Sequence, residues 1–288
     1  MNCPICDASV LRRLFPVAQD RHEWRCARCG VFFFSPLPTE EELKAFYDSQ
    51  WAGGDTEYQQ YYVDSELEAF NLYNNFLPQL DLLASYGFSG NLLDVGCSAG
   101  TFLKAAKERG WTVEGLDVGE GACARTSQEA GCPVHCGTLD TVALPSESFD
   151  VIHAAQVIEH VLDPHAFLDA AHRRLKPGGA LLLSTPIIEP RVFHTTYLAQ
   201  RVLVPLVSRG REVPFPWALH YPFHVFVQSP RSLGLLLGRH QFKIVHSRKV
   251  FWRFFKGMSP KWRVFYRAMN AVFHLLNAGM NIDVLAVK

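Results

Sequence analysis

The sequence predicts an α/β fold, a doubly wound and mostly parallel seven-stranded sheet that follows a small cysteine-rich module. Three observations predict it. Short apolar runs alternate with helical segments from residue 91 onward, a glycine-rich turn joins the first run to its helix, and two CxxC pairs lie within the first 29 residues. With 288 residues, 48% hydrophobic and 19% charged, the chain can bury a large core and lacks the composition of a disordered protein.

Two features of the sequence bear on its location. The start, Met1-Asn2-Cys3-Pro4, lacks the basic and apolar regions of a signal peptide. The stretch from Val213 to Pro230 has no Asp, Glu, Lys or Arg, but its four prolines argue against a membrane-spanning helix. We therefore expect a cytoplasmic protein.

Four cysteines have the spacing of a structural zinc site. Cys3 and Cys6 form one CxxC pair, and Cys26 and Cys29 form the second after an interval of 19 residues. Four thiolates close a tetrahedral site and leave no position for water, so we expect a structural zinc ribbon over residues 1–38 that depends on the metal to fold. Free thiols or a redox pair are the alternative. The other cysteines lack this spacing and are predicted to be ordinary buried residues: Cys97, Cys123, Cys132 and Cys136.

A helical segment over residues 39–86 is expected after the ribbon. Thr39 is a suitable N-cap, because three glutamates follow it in the first turn. Apolar spacing predicts one helix near 39–49 and another near 56–85, which Pro78 should kink or divide. The main α/β domain is then expected over residues 87–288.

The first strand of this domain ends in a turn suited to a nucleotide-like cofactor. The turn has the spacing Gly96-x-x-x-Gly100, and its glycines allow a ligand to approach the backbone. The second strand ends at Asp117, where a carboxylate can accept both hydroxyls of a ribose. A dinucleotide dehydrogenase would need G-x-G-x-x-G instead, so the spacing argues against that class.

Five ordered motifs together resemble those of class I S-adenosylmethionine-dependent methyltransferases, most closely the small-molecule branch that includes the quinone O-methyltransferases. With the ribbon, the chain also resembles bacterial methyltransferases of sugar and cell-envelope pathways. The resemblance is strong over about residues 88–186. The motifs are Leu93 to Gly100, Asp117, Phe149 to Ile152, Val157 to Val161 and Leu175 to Gly179.

The resemblance implies S-adenosylmethionine as the cofactor and a set of residues that contact it. Asp94 and Gly96 would hold the methionine end, Asp117 the ribose and Gln156 the sulfonium end. Ser98 stands where the family usually has a second glycine. The full set of implied cofactor contacts is Asp94, Gly96, Cys97, Gly100, Asp117, Val118, Thr138, Leu139 and Gln156.

Methyl transfer to a hydroxyl needs a positioned acceptor and a base. His160 is the first candidate, because histidine titrates near neutral pH and this one follows the fourth strand at the ligand-binding edge. The resemblance places acceptor contacts after the fifth strand, which adds His220 and His224. Glu159 and His160 match positions that quinone O-methyltransferases link to a divalent metal. Gln156 stands where that group has another glutamate, which argues against a catalytic metal.

The C-terminal third of the chain is strongly basic although the net charge is zero. From Val213 to Ile282 there are ten Lys or Arg and no Asp or Glu. Residues 187–219 have the composition of an apolar substrate lid. Aromatic and basic residues interleave over 248–276, which predicts contact with an anionic membrane surface or a lipid-linked acceptor. Packing of those aromatics in the core is the alternative.

Three functional classes are compatible with these observations. The first is a methyltransferase for a glycan, lipid-linked or quinone-like small molecule, cytoplasmic and peripheral at the inner face of the membrane. The second is an RNA methyltransferase, because a ribbon and a basic stretch could bind phosphates, although no catalytic signature of nucleic-acid methylation follows the fourth strand. The third is a non-catalytic scaffold that retains the fold. The intact cofactor motifs argue against this class.

Overall fold

The computed structural model describes residues 1–16, 20–43, 45, 68–69, 71–189, 224–250, 271, 275 and 279–288. Three predictions fall on other residues. The lid is described only at 187–189, His220 lies outside the described residues, and so does nearly all of the basic aromatic segment beyond residue 250. No helix among the described residues is both long enough and apolar enough to cross a membrane.

The described strands form two sheets. The first three strands are β1 (Leu11–Pro16), β2 (His22–Cys26) and β3 (Phe32–Ser35). They are followed by β4 (Asn91–Val95), β5 (Thr112–Asp117), β6 (Val134–Cys136), β7 (Phe149–Ala155) and β8 (Leu175–Pro186). The last three are β9 (Phe226–Val227), β10 (Lys243–Val250) and β11 (Asn281–Val287).

The seven-stranded sheet has the order β10-β11-β8-β7-β4-β5-β6. Strands β6, β5, β4, β7 and β8 run parallel to one another, whereas β11 is antiparallel to both β8 and β10. The predicted doubly wound, mostly parallel sheet is therefore confirmed.

A side-chain cap or a proline marks the start of three of the five named α-helices. A π-helical turn at Leu72–Phe76 leads into α1 (Leu77–Ser85), which has Pro78 in its first turn, as expected from a residue without an N–H to donate. Next come α2 (Thr101–Glu108) and α3 (Glu120–Ala130). The Asp163 carboxylate caps α4 (Pro164–Arg174), and the Ser229 hydroxyl caps α5 (Pro230–Arg239).

Strand residues alternate between two apolar cores because successive side chains point to opposite faces of the sheet. Leu93 and Ile152 contribute to the core that contains residues of α4 and α5. Leu92 and Val151 contribute to the opposite core, which contains residues of α1 and α2. The ribbon cysteines belong to the first of these cores, so the ribbon packs on the α4 and α5 face.

The ribbon shares a sheet with the larger part of the chain. The second sheet has the order β1-β2-β3-β9, and all of its pairs are antiparallel. In the β3–β9 pair, Phe33 lies opposite Phe226 and Phe32 lies opposite Val227. The main chains of two segments that lie about 190 positions apart in the sequence are thus paired.

Side chains of α5 reinforce this junction. The Ser229 hydroxyl donates to the carbonyl of Cys29 at 2.6 Å. Arg239 donates to the carbonyl of Ile5 at 2.9 Å and forms an ion pair with Asp7 at 2.8 Å. The ribbon is therefore anchored on both of its cysteine-bearing loops.

One expectation about the cysteines is wrong. Cys123 and Cys136 are joined by a disulfide, and Cys136 is exposed, so this pair is not made of ordinary buried thiols. Cys123 lies in the second turn of α3 and Cys136 ends β6, which places their Cα atoms 6.0 Å apart. Their sequence separation carries no pairing signal because the contact arises from the packing of α3 beside β6.

Candidate functional site

The glycine turn after β4 is held in place by main-chain hydrogen bonds to the neighbouring strand. The N–H groups of Gly96 and Cys97 both donate to the Leu116 carbonyl, at 2.7 and 3.1 Å. Gly96 has a φ of 72°, and a Cβ at this position would lie 2.6 Å from Cγ2 of Val157. Gly100 has a φ of 74°, and a Cβ at this position would lie 2.7 Å from Cγ2 of Thr126. Only glycine suits these two positions, because neighbouring side chains already fill the space that a Cβ would need.

Asp117 faces this turn from the end of β5. Its Oδ2 accepts from the N–H of Ser98 at 2.9 Å, and its Oδ1 accepts from the N–H of Gly119 at 3.0 Å. These two bonds fix the orientation of a half-buried carboxylate, and each oxygen keeps a lone pair for a further donor. The structure thus brings together the turn and the acidic residue that the sequence predicts to hold a ribose.

Asp94 lies beneath the turn and is 3% exposed. Its Oδ1 is 2.7 Å from Nδ1 of His153 on β7. Burial raises the pKa of Asp94, and the adjacent His153 opposes that rise. Sequence reasoning missed His153, although a histidine inside the apolar run of a buried strand was the available signal.

The other predicted cofactor contacts follow the carboxyl ends of β5, β6 and β7. Val118 is 57% exposed directly after Asp117. Thr138 is exposed, and its N–H donates to the Thr141 hydroxyl at 3.1 Å. Leu139 is almost fully buried and packs in the core. Gln156 is exposed, with a φ of 57° and its N–H bound to the Ser184 carbonyl at 2.7 Å.

Glu159, His160 and His224 form a second polar cluster at the same edge of the sheet. Each offers a ligand atom, and these atoms all lie within 4.8 Å of one another. The two imidazole rings have their centroids 5.0 Å apart. Two of the three predicted catalytic histidines therefore meet, although 64 residues separate them in the chain.

The sequence marked Glu159 only as a position that quinone O-methyltransferases link to a divalent metal, and Glu159 was not among the predicted catalytic or cofactor-binding residues. It is fully buried, and burial raises its pKa to about 8. The Thr185 hydroxyl donates to Oε2 at 2.9 Å, whereas Oε1 has no hydrogen-bond partner among the described residues. A carboxyl and two imidazoles are a donor set that also fits a divalent cation.

His224 reaches this cluster because of the strand that follows it. Phe226, the first residue of β9, donates its N–H to the Glu159 carbonyl at 3.1 Å and pairs with Phe33 of the ribbon. The ribbon and the loop after β7 therefore hold β9 from two sides, and β9 fixes the position of His224.

The four ribbon cysteines converge as their spacing predicts. Sγ of Cys3 lies 3.6 Å from Sγ of Cys29, and Sγ of Cys6 lies 3.6 Å from Sγ of Cys26. All four side chains are buried, and their sulfur atoms lie within 4.8 Å of one another. This set of four thiol donors fits a tetrahedral zinc ion.

Comparison with known proteins identifies the family. Residues 59–247 match the family model of a methyltransferase domain. The chain belongs to this methyltransferase-domain family. The match confirms the resemblance stated from the sequence motifs and covers the turn, Asp117 and the Glu159–His160–His224 cluster.

Curated relatives of this methyltransferase-domain protein include two bacterial enzymes. The ubiquinone biosynthesis O-methyltransferase of Pseudomonas paraeruginosa is 35% identical over 131 residues, which cover 43% of this chain and 56% of that protein. The enzyme of the same name from Pseudomonas entomophila is 34% identical over 125 residues, 41% of this chain and 54% of that protein. The chain thus spans just over half the length of these relatives.

Solved structures support the fold of the methyltransferase-domain chain. An S-adenosylmethionine-dependent methyltransferase from Methanosarcina mazei matches with a TM-score of 0.50 and 17% identity, covering 72% of this chain and 96% of that one. The geranyl diphosphate C-methyltransferase of Streptomyces coelicolor matches with a TM-score of 0.53 and 14% identity, covering 82% and 88%. At these identities the similarity shows the fold alone.

Proposed function

We propose that this protein transfers a methyl group from S-adenosylmethionine to a small-molecule acceptor. The observation that carries the proposal is the Asp117 carboxylate, which backbone N–H groups on both sides hold against a turn that only glycine can form. Family membership and the names of the curated relatives support the same activity.

The cofactor, when bound, supplies a methyl group that its sulfonium has already activated. Asp117 would accept the two ribose hydroxyls, and the backbone of the turn from Gly96 to Gly100 would lie against the methionine portion. Thr138 and Leu139 would border the adenine, and Gln156 the sulfonium end.

A hydroxyl acceptor would bind beside the Glu159–His160–His224 cluster. Either imidazole can take the hydroxyl proton near neutral pH, which fits O-methylation. Glu159 is mostly protonated at pH 7 because its pKa is about 8, so it adds little negative charge to the base. We propose that no divalent metal is needed, because exposed Gln156 adds an amide where a further carboxylate would strengthen a cation site.

The acceptor class that we propose is a quinone-like, lipid-linked or glycan intermediate at the cytoplasmic membrane face. Within the predicted membrane-contact segment, Arg248 and Lys249 form ion pairs with Asp283 and Glu189. Membrane contact would therefore rest on residues 251–276. Sedimentation with anionic vesicles, weakened by salt and absent with neutral vesicles, would support this contact, whereas no sedimentation with either would exclude it.

Calorimetry with S-adenosylmethionine tests the cofactor site. Asp117→Asn removes the charge that accepts the ribose hydroxyls, so we expect affinity to fall about 10- to 100-fold. Glu108→Gln, an exposed acid at the end of α2, is the matched control and should bind as the wild type does. Unchanged affinity in Asp117→Asn would refute the assignment.

An acceptor screen with methyl-labelled S-adenosylmethionine tests the reaction. Quinone precursors, lipid-linked glycans and RNA should be compared with EDTA and with added Mg²⁺. Label in a small molecule that is insensitive to EDTA supports the proposal. Label in RNA alone would favour the nucleic-acid alternative, and activity only with Mg²⁺ would assign a metal to the Glu159–His160–His224 cluster.

A further inference from the structure

A chain of buried polar side chains runs from the cofactor edge across the sheet. His153 links Asp94 to Gln79 of α1, with Nδ1 2.7 Å from Asp94 Oδ1 and Nε2 3.2 Å from Gln79 Oε1. Gln79 donates through Nε2 to Asp283 of β11 at 3.3 Å, and Arg248 of β10 donates to the other oxygen of Asp283 at 2.6 Å. Asp94, His153, Gln79 and Asp283 are each no more than 3% exposed.

The far end of this chain fixes the orientation of the Gln79 amide. Asp283 is paired with Arg248, so its carboxylate can only accept, and the amide group that faces it must be the NH₂. The amide oxygen then faces His153, as the structure has it. An oxygen can only accept, so Nε2 of His153 carries a proton.

The near end requires a second proton between His153 and Asp94. Nδ1 and Oδ1 are 2.7 Å apart, a distance that only a hydrogen bond allows. The pair is therefore either an imidazolium with a carboxylate or a neutral imidazole with a protonated acid. Its net charge is zero in both cases.

Packing around the imidazole favours the charged form. The ring of Phe102 stacks on His153 with the centroids 3.7 Å apart and 17° between the planes, and Phe76 meets it edge-on at 6.2 Å. An aromatic face at this distance attracts a cation. The Asp94 carboxylate is the matching anion, and the buried pair avoids an isolated charge.

We propose that His153 is a positioning residue that keeps Asp94 ionised and fixed beneath the cofactor turn. This inference rests on the proposed function. Asp94 lies two residues before Gly96, at the end of the site assigned to the methionine portion, whose ammonium and sulfonium groups are both cationic. An ionised Asp94 would attract these charges, and a protonated one would not.

The pH dependence of binding distinguishes this role from simple packing. The charged groups that face the pair are Asp117 on β5 and, through Gln79, Asp283 with Arg248 on β11 and β10. The Cys97 thiol in the turn stays protonated because burial raises its pKa. Each variant is therefore compared with the wild type at the same pH, because the ammonium group of the ligand itself titrates at about pH 8.

His153→Gln keeps a polar side chain but removes the cation. Burial then raises the pKa of Asp94 without the opposing effect of His153, so more of the carboxyl is protonated than in the wild type, and this excess shrinks as the pH rises. We expect the affinity for S-adenosylmethionine to be about 10-fold below that of the wild type at pH 7, and this ratio to approach one toward pH 9. His135→Gln on β6 is the matched control, because the imidazole of His135 pairs with Glu114 at 2.8 Å. It should change neither the affinity for S-adenosylmethionine nor the pH dependence of that affinity.

A parallel weakening at every pH would overturn the proposal, because lost packing alone predicts it. Nitrogen NMR of the wild type without cofactor gives an independent answer if His153→Gln does not fold. Both ring nitrogens of His153 should be protonated at pH 7.5, and a neutral tautomer would overturn the proposal. If the wild type binds no S-adenosylmethionine while His153 is doubly protonated, the proposed function fails and the charge assignment of the pair stands.

Discussion

The cofactor end and the acceptor end of the site are built in different ways. At the cofactor end, the turn, Asp117 and the N–H groups that hold it all lie within 24 consecutive residues, 96–119. At the acceptor end, Glu159 and His160 meet His224 only because β9 pairs with β3 of the ribbon. One end is a local motif, and the other is an assembly of three distant parts of the chain. We therefore expect that a substitution or a loss of metal at one end leaves the structure of the other end unchanged.

Removal of the ribbon metal should have the largest effect, and it should affect the acceptor end alone. We expect about one zinc per chain in the wild type and its loss in a Cys3→Ser/Cys6→Ser double variant. Without the metal the ribbon loses much of its folding free energy, so hydrogen exchange at Phe226 and Val227 should speed up by more than about 10-fold. The amides of β4 and β5 should keep their protection, and S-adenosylmethionine should still bind.

Cys132→Ser is the control for this experiment, since Cys132 is half-buried and lies outside the four-cysteine cluster. Unchanged exchange at β9 in the metal-free protein would show that the ribbon does not hold the acceptor end. Equal loss of protection in β4 and β5 would show that the two ends are not separate.

A substitution in the turn should damage the cofactor end alone. In Gly96→Ala the new Cβ would lie 2.6 Å from Val157, in a φ of 72° that alanine disfavours. We expect a loss of about 1–3 kcal/mol in stability and a fall of at least about 10-fold in S-adenosylmethionine affinity, measured by denaturation and calorimetry.

Gly121→Ala is the matched control for the turn. Gly121 lies in α3, and a Cβ there would meet nothing within 4 Å. Alanine should be neutral or should stabilise the protein by up to about 1 kcal/mol, because it favours a helix over glycine. If both alanine variants bound the cofactor equally well, the turn would not be the cofactor site.

The smallest expected effect concerns a buried acid in the ribbon. Glu23 is 2% exposed, and burial raises its pKa from 4.5 to about 7. The folded state therefore favours the protonated acid, and the cost of ionising it begins above pH 4.5 and is complete above about pH 7. Glu23→Gln should stabilise the protein by about 1–3 kcal/mol at pH 8 and by almost nothing at pH 4.5.

Thermal unfolding at the two pH values measures this difference. Asp20→Asn removes a charge from an exposed position of the ribbon outside any helix and should leave the stability unchanged at both. If Glu23→Gln stabilised the protein equally at pH 4.5 and pH 8, ionisation of Glu23 would not be what lowers the stability of the wild type.

The contrast between the two ends also explains how much the sequence could predict. The parallel strands, the glycine turn and Asp117 could be predicted because each depends on residues close in the chain, and the fold and family that they indicate are confirmed. The convergence of the four ribbon cysteines follows from spacing in the same way.

Features that depend on tertiary packing could not be predicted. In the β3–β9 pair, neither strand alternates apolar and polar residues in a way that would predict the pairing register, and β9 has only two residues. Cys123 meets Cys136 through the packing of α3 beside β6. His153 faces Asp94 because β7 lies parallel to β4, a neighbour relation that only the strand order reveals.

A crystal structure of the protein with S-adenosylhomocysteine tests the central claim most directly. The account predicts that both ribose hydroxyls lie within about 3 Å of the Asp117 carboxylate and that the methionine portion lies along the turn from Gly96 to Gly100. The sulfur should face the Glu159–His160–His224 cluster. A ligand bound elsewhere on the chain, or a ribose that makes no contact with Asp117, would contradict the account.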